Sequence, residues 1–393
     1  MPKLTWTAYN HTQADLDVTQ YVRSLSFKQG RSSPVSPYSG NSASITMSSY
    51  GGIEQYVAVN DEIYISATPT GGIEQYLFIG RVTSRTFDDN PGTGVNSTMT
   101  VSLNDAMLQA GMANLQSQSL VSVNEQINEI DGLLPQCDIF QYPTDVNIST
   151  GTFTTNANQR INEIIAGDRG VLQVNSGTAV YLPPSVFGSS VNVSIDFGRS
   201  TSATQIAYQD LVRVEAASNS LFYTQATVTG SASTETKSSA ALATYGTRTF
   251  TASTAQSNLV SQTAEWYANA FTDPEVVMLN LSFTDVAQNE TALQELNNLC
   301  SFTNFVEVSY TPPGGVSTTG YYWPEQITFN ATTAQTTVDM LMSPLTYYAN
   351  FILDDAIFGV LGGVPTYNSE IDYDEIGFIY DDGNVEQGSR LGV

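Results

Sequence analysis

Hydrophobic and polar positions alternate with period two over most of the first hundred residues. The apolar members are Val22, Leu25 and Phe27; Ala43, Ile45 and Met47; Ile63 and Ile65; Leu77 and Ile79; Met99, Val101 and Leu103. Clusters of Gly, Pro, Asn and Ser separate these runs. Short alternating segments punctuated by turn residues predict a sandwich or barrel, and residues 1–112 read as a first small β-barrel domain. The hexapeptide Gly-Gly-Ile-Glu-Gln-Tyr occurs at 51–56 and again at 71–76. Two copies are too few for a stacked solenoid. They predict two similar strand entries flanking Val57–Ser66.

The period changes from about residue 113 to 204. Val123, Ile127, Ile130 and Leu134 fall at helical spacing, as do Ala157, Ile161, Ile164 and Ile165, with Gly167 as a stop. Residues 170–174 and 178–182 then flank Asn175-Ser176-Gly177, a hairpin turn. Residues 113–204 therefore read as an α/β middle domain.

Strands resume over 208–229. A potential capping box, Ser253-x-x-Gln256, precedes Leu259, Val260, Thr263, Trp266, Tyr267, Ala270 and Phe271, which predict an amphipathic helix closed by Asp273-Pro274. An alternating strand over Val277, Leu279, Leu281 and Phe283 follows. A short helix then carries Cys300, and a hairpin turns over Pro312-Pro313-Gly314-Gly315. Residues 205–345 read as a second β-barrel domain with inserted helices. The fold class expected for the whole chain is mainly β with an α+β insert. Residues 346–393 read as an acidic C-terminal arm, extended and either free or ordered against a neighbour.

Charge narrows the functional classes. The 393-residue chain carries 13 Lys plus Arg against 38 Asp plus Glu, a formal net of −25. Only three lysines occur (Lys3, Lys28, Lys237), and no basic cluster forms. Nucleic-acid binding needs cations that displace phosphate counterions, so specific binding to DNA or RNA is not expected, and repulsion is. Charged residues make up only 13% of the chain. Ser, Thr, Asn and Gln supply its polarity instead, a composition suited to broad permanent interfaces where an unpaired buried charge is costly. The amino-terminal residues lack the apolar core of a signal peptide. The closest approach to a membrane span, Phe351–Val364, is broken by Asp354 and Asp355, so no span is expected.

Candidate chemistry is sparse. His11 is the only histidine, which removes a histidine-based triad or a multi-histidine metal site within one chain. Cys137 and Cys300 have no CxxC partner and read as buried, inert thiols. Asp372, Asp374 and Glu375, with Asp381 and Asp382, could on number alone serve a glycosidase pair or a calcium site. Their spacing does not match an EF-hand loop, and a solvated acidic arm is the simpler reading. Phosphate-loop, dinucleotide and GxSxG motifs are absent from the sequence. No catalytic, cofactor-binding or metal residues are assigned, and no cofactor is expected.

The order of these weak motifs nevertheless resembles a known family. Asp17-Val18-Thr19, Phe27-x-x-Gly30-Arg31 and Ala43-Ser44-Ile45-Thr46-Met47 are similar to the opening strands of the tail-hub proteins of long-tailed phages. Asn60-Asp61-Glu62-Ile63-Tyr64-Ile65 and Phe78-Ile79-Gly80-Arg81-Val82 resemble that family's Gly-Asp-x-hydrophobic and Phe-x-Gly-x-Val pair. Asn60 stands for the usual glycine and tolerates the positive φ that the turn needs. Val101-x-Leu103-x-Asp105-Ala106, Tyr322-Trp323-Pro324-Glu325-Gln326-Ile327, Val338–Pro344 and Ile352-Leu353-Asp354-Asp355 continue the resemblance to about residue 362. It implies a structural, non-enzymatic hub at the tail tip of the virion, assembled in the host cytoplasm. It further implies a homotrimeric ring joining a six-fold tail tube to three-fold components and letting DNA pass. Its implied partners are the distal tail ring, the tape measure and fibres. The alternative is a carbohydrate- or receptor-binding tail module, suggested by 21 tyrosines and by Tyr321, Tyr322, Trp323, Tyr347 and Tyr348.

Overall fold

A computed structural model of the chain describes residues 4–38, 40–48, 52–69, 71–88, 97–105, 107–108, 111, 122–132, 139–141, 156–168, 171–175, 178–182, 191–198, 205–207, 211–216, 221–255, 259–272, 278–284, 305–310 and 318–344. The opening strands are β1 Leu4–Asn10, β2 Leu16–Asp17, β3 Val22–Gly30, β4 Ser42–Ser48, β5 Glu62–Pro69, β6 Gln75–Asp88 and β7 Thr98–Asn104. Helix α1 (Val123–Gly132), β8 (Ile139–Gln141), helix α2 (Ala157–Asp168), β9 (Val171–Asn175) and β10 (Thr178–Leu182) follow. Then come β11 Val191–Gly198, β12 Gln205–Ala207, β13 Leu211–Ala216, β14 Gln225–Thr229 and β15 Thr234–Ser238. The remainder is α3 Leu242–Tyr245, β16 Thr249–Ser253, α4 Val260–Ala270, β17 Leu279–Thr284, β18 Phe305–Tyr310, β19 Thr318–Thr332 and β20 Thr336–Pro344. The chain is mainly β with a minority of helices, as its periodicity predicts.

Fourteen strands form one branched sheet. Its main path runs β12-β11-β18-β19-β3-β4-β7-β6-β5-β1-β2, and a branch runs from β19 through β20 and β17 to β13. The branch point is β19. Its first part pairs antiparallel with β18, from Thr318 opposite Tyr310 to Tyr322 opposite Val306. Its second part pairs antiparallel with β3, from Gln326 opposite Gly30 to Thr332 opposite Ser24. A register shift between Pro324 and Gln326 separates the two parts. Pro324 cannot donate to a ladder, so a bulge is where a strand tolerates it. The strand pairing thus describes a continuous sheet across both expected barrel regions, and two separate barrels are not established by it. Strand β11, expected within the middle domain, pairs parallel with β18.

Most of the alternating residues named from sequence face inward, but Val22 and Ile79 are half-buried, and in β6 Phe78 and Val82 are buried instead of Ile79, next to a register shift in the β5–β6 pairing. Ala43, Ile45 and Met47 oppose Leu103, Val101 and Met99, and all six are buried. Phe27 stacks on Phe329 at 5.0 Å between ring centroids and lies 5.5 Å from Phe78. Trp6 meets the edge of Phe329 at 5.2 Å and donates its indole N–H to Thr336 Oγ1 at 2.9 Å. These rings join both halves of the chain in one core. Each fully buried large side chain is worth roughly 1.5–3 kcal/mol of hydrophobic stabilisation. Gly80 serves this packing: a Cβ there would lie 2.6 Å from the Phe78 ring and 3.0 Å from the Asn104 carbonyl oxygen.

The helical readings hold in outline. Ile127 and Ile130 of α1 are buried, as are Ala157, Ile161, Ile164 and Ile165 of α2. Asn175 opposes Thr178 in the expected β9–β10 hairpin. Helix α4 buries Val260, Thr263, Ala264, Tyr267 and Ala268. It packs on the small sheet β15-β14-β16.

Two expectations are corrected. Ser253 does not cap α4. It ends β16, opposite Thr229 of β14, and the N-cap is Leu259, without a side-chain bond. The alternation Phe250-x-Ala252 extends the strand through Ser253 and overrides the local capping signal. The two Gly-Gly-Ile-Glu-Gln-Tyr copies also diverge. The first forms a 3-10 turn after Gly52 in the left-handed region, and Ile53 is fully buried. The second follows Gly71 (φ 76°) and enters β6 at Gln75, leaving Ile73 83% exposed. Identical sequence takes two conformations because a core cavity awaits one isoleucine and not the other.

Candidate assembly surfaces

The junction between the chain's early and late segments is polar and buried. Arg31 follows β3, and its backbone N–H donates to the Glu325 carbonyl at 2.7 Å. Its Nε donates to Glu325 Oε2 at 2.8 Å, with both side chains almost wholly buried. Ser343 of β20 donates its hydroxyl to the other Glu325 oxygen. The Arg31 guanidinium also sits 4.5 Å above the Tyr38 ring. A charge pair buried this deeply survives only if its geometry and extra hydrogen bonds offset desolvation. Here Glu325, the Arg31 backbone, Ser343 and Tyr38 together lock the β19 bulge to the chain after β3.

That chain, residues 31–38, walls a cleft of about 260 Å³. Tyr38 anchors it to α2: its N–H donates to Asn162 Oδ1 at 2.7 Å, and Asn162 Nδ2 donates to its carbonyl at 3.0 Å. The opposite wall is strand β16, through Phe250, Thr251, Ala252 and Ser253. The floor joins these walls where the Ala255 N–H donates to the Glu163 carbonyl at 3.0 Å.

A second surface lies on β1, β5 and β6. Tyr9 opposes Tyr64 across β1–β5. His11 stacks on Tyr64 at 4.7 Å, and Tyr76 meets the edge of Tyr64 at 5.9 Å. Tyr76 and Ile73 are exposed. Partial burial, and then the Glu74 carboxylate, raises the Tyr9 phenol above its ordinary pKa. Burial and Glu62 do the same for Tyr64. The result is an aromatic face with an acidic rim.

Of the residues weighed for chemistry, His11, Tyr321, Tyr322 and Trp323 lie among the described residues. His11 bonds to Asp15 at 2.6 Å and stacks on tyrosine. Among the described residues no group of three or more His, Cys, Asp or Glu could hold a metal. No helix there is long and apolar enough to cross a membrane. Trp323 is fully buried, while Tyr321 and Tyr322 are half-buried. Burial, followed by Glu307, raises the Tyr321 phenol. Cys137, Cys300, Tyr347, Tyr348, Asp372, Asp374, Glu375, Asp381 and Asp382 lie outside the described residues. So do the turn at 312–315 and the helix expected around Cys300.

Sequence reasoning missed Arg31–Glu325 as a pair. Both residues stood in separate motifs 294 positions apart, and only the β3–β19 register brings them together. The aromatic face was missed as well. Tyr9 finds Tyr64 only through the long-range pairing of β1 with β5.

No family profile and no curated protein matches the sequence. Solved structures do match. One is a tail protein from Neisseria meningitidis MC58, with a TM-score of 0.58, 9% identity, and coverage of 88% of this chain and 98% of that one. Another is the 43 kDa tail protein of prophage MuSo2 from Shewanella oneidensis, with a TM-score of 0.52, 10% identity, and coverage of 88% and 98%. At such identities the likeness is one of fold. The fold of this chain is that of phage tail proteins.

Proposed function

We propose that this chain is a structural hub protein at the tip of a phage tail. The observation that carries the reading is the fold likeness over nearly the full length of two tail proteins. Three copies close into a homotrimeric ring. One face of the ring meets the six-fold tail tube through the distal tail ring and tape measure, and the other presents three-fold symmetry to fibres or tip. A closed symmetric ring is a common outcome for soluble homo-oligomers. Residues 1–112, 113–204, 205–345 and 346–393 are its proposed working divisions. The protein is not an enzyme in this reading.

The acidic excess partly lines an axial channel. A negative wall in a narrow bore repels passing DNA phosphates and keeps them moving, within a Debye length of roughly 8 Å at physiological ionic strength. Cryo-electron microscopy of the intact particle tests the whole reading. Three copies in one ring at the tail tip around a negative bore are expected. Six copies, a single axial copy, or a neutral or positive bore would refute the corresponding part.

The aromatic face of Tyr9, His11, Tyr64 and Tyr76 favours a second reading, a carbohydrate- or receptor-binding tail module. Exposed tyrosine rings stack on sugar faces. Glycan-array binding that is lost in Tyr64→Ala with the fold retained would move the assignment there.

A further inference from the structure

The free edge of the small sheet calls for a partner strand, and the chain contains a segment suited to it. Strand β16 pairs with β14 on one side and, among the described residues, with no strand on the other. Thr249-Phe250-Thr251-Ala252-Ser253 carries no Lys, Pro or bulge, the devices that normally keep an exposed edge from pairing. Four consecutive residues of this strand, roughly 13 Å at 3.3 Å each, wall the cleft of about 260 Å³ opposite residues 34–38. An open slot alongside an unprotected edge is the geometry of strand addition.

Three observations name the occupant. First, the last described residue, Pro344, follows Ser343, whose hydroxyl bonds Glu325, which pairs with Arg31, a residue of the cleft wall. The C-terminal arm therefore starts beside the slot, and tethering raises its effective concentration there. Second, the arm contains Ile376-Gly377-Phe378-Ile379-Tyr380, five uncharged residues with Ile, Phe and Tyr alternating. The length equals that of β16. Left bare, such a segment is an aggregation hazard. Third, the charges are complementary. Residues 346–393 carry nine carboxylates and one cation, Arg390, whereas residues 216–264 carry a single carboxylate, Glu235, with Lys237 and Arg248. Carboxylate pairs flank the five residues on both sides (Asp374-Glu375 and Asp381-Asp382), and two walls of the cleft come from carboxylate-poor stretches, residues 18–53 with none and 216–264 with one, while Glu163 of α2 is the one carboxylate among the described lining residues.

We propose that Ile376–Tyr380 docks in the same chain as a fourth strand on the free edge of β16, filling the cleft. The inference is independent of the hub reading, because it concerns how one chain covers its own edge.

Hydrogen–deuterium exchange tests it, using the full chain and a full-chain variant with Phe378→Pro and Tyr380→Pro, which removes two strand donors. The amides of Thr249–Ser253 that point away from β14 should exchange at least tenfold faster in the variant. Raising salt to 0.5 M should narrow the gap by weakening the charge attraction. Equal exchange in both proteins overturns the proposal. A photo-cross-linker placed at Thr251 in a mixture of isotope-labelled and unlabelled chains identifies the source. Links to 376–380 within one chain support it, whereas links between chains overturn docking in the same chain.

Discussion

Replacing Asp105 by Asn should stabilise the protein at neutral pH and flatten its pH dependence. Asp105 closes β7 in the core, and it is 1% exposed. Its Oδ1 accepts the Leu108 N–H at 3.1 Å, and its own N–H donates to the Asn41 carbonyl at 3.0 Å. Burial pushes its carboxyl from 3.8 up to about 6, and hydrogen bonding from Asn41, Leu108 and Met107 restores only part of the difference. Between those two values the folded chain holds a proton that the unfolded chain has released. Stability from this group is therefore full below pH 4 and falls as pH rises through 6. At about 1.4 kcal/mol per unit, the loss at pH 7 is about 3 kcal/mol. Asn cannot ionise but brings an amide that needs an acceptor, which offsets part of the gain. Urea unfolding followed by tryptophan fluorescence, at half-unit steps from pH 4 to 7.5, measures it. The gain of Asp105→Asn over the wild type should grow across that window by about 1–3 kcal/mol. A difference that stays constant with pH would refute the argument.

Two further outcomes follow from the fold. Arg31→Met should cost about 3–5 kcal/mol because it removes the buried counter-charge of Glu325, whereas Arg31→Met combined with Glu325→Leu should cost less than either single change; a double-mutant cycle by urea unfolding checks this, and additive losses would contradict it. Ile53→Ala should cost about 2–5 kcal/mol as a core cavity, while Ile73→Ala, in the identical hexapeptide, should shift stability by less than about 0.5 kcal/mol; equal effects on the thermal midpoint would mean the two copies share one environment.

Period and turn chemistry are local properties, and the elements they define were legible. The inward faces of β4 and β7 follow from strict alternation, and the α2 face follows from a clean 3.6 period. Asn60 has φ 73° and donates its N–H to the Val82 carbonyl at 2.8 Å, so its expected role in a positive-φ turn is met. What failed were local signals outvoted by tertiary context. The Ser253–Gln256 box satisfies the capping rule in sequence, yet Ser253 gains more from the β14 ladder. One hexapeptide folds two ways because burial, which sequence alone does not carry, decides for Ile53 and against Ile73. The candidate surfaces were the least legible part. The Arg31–Glu325 lock, the Tyr9–Tyr64 face and the free edge of β16 each depend on a pairing register between distant segments.

The same register bears on how the molecule responds to force or assembly. Strand β19 holds β18 and β3 end to end along one side and β20 along the other. The bulge at Pro324–Gln326 lies between those two partners, and the Arg31–Glu325–Ser343 cluster sits on it. A change in direction of β19 at the bulge would therefore swing the β18 side of the sheet relative to the β3 side. The buried ion pair opposes that movement more stiffly than apolar packing would, because shifting either charge exposes it to an unpaired, low-dielectric setting. Apolar contacts such as Phe27–Phe329 tolerate small slides at little cost by comparison. The polar lock at the bulge thus makes the two halves of the sheet one mechanical unit.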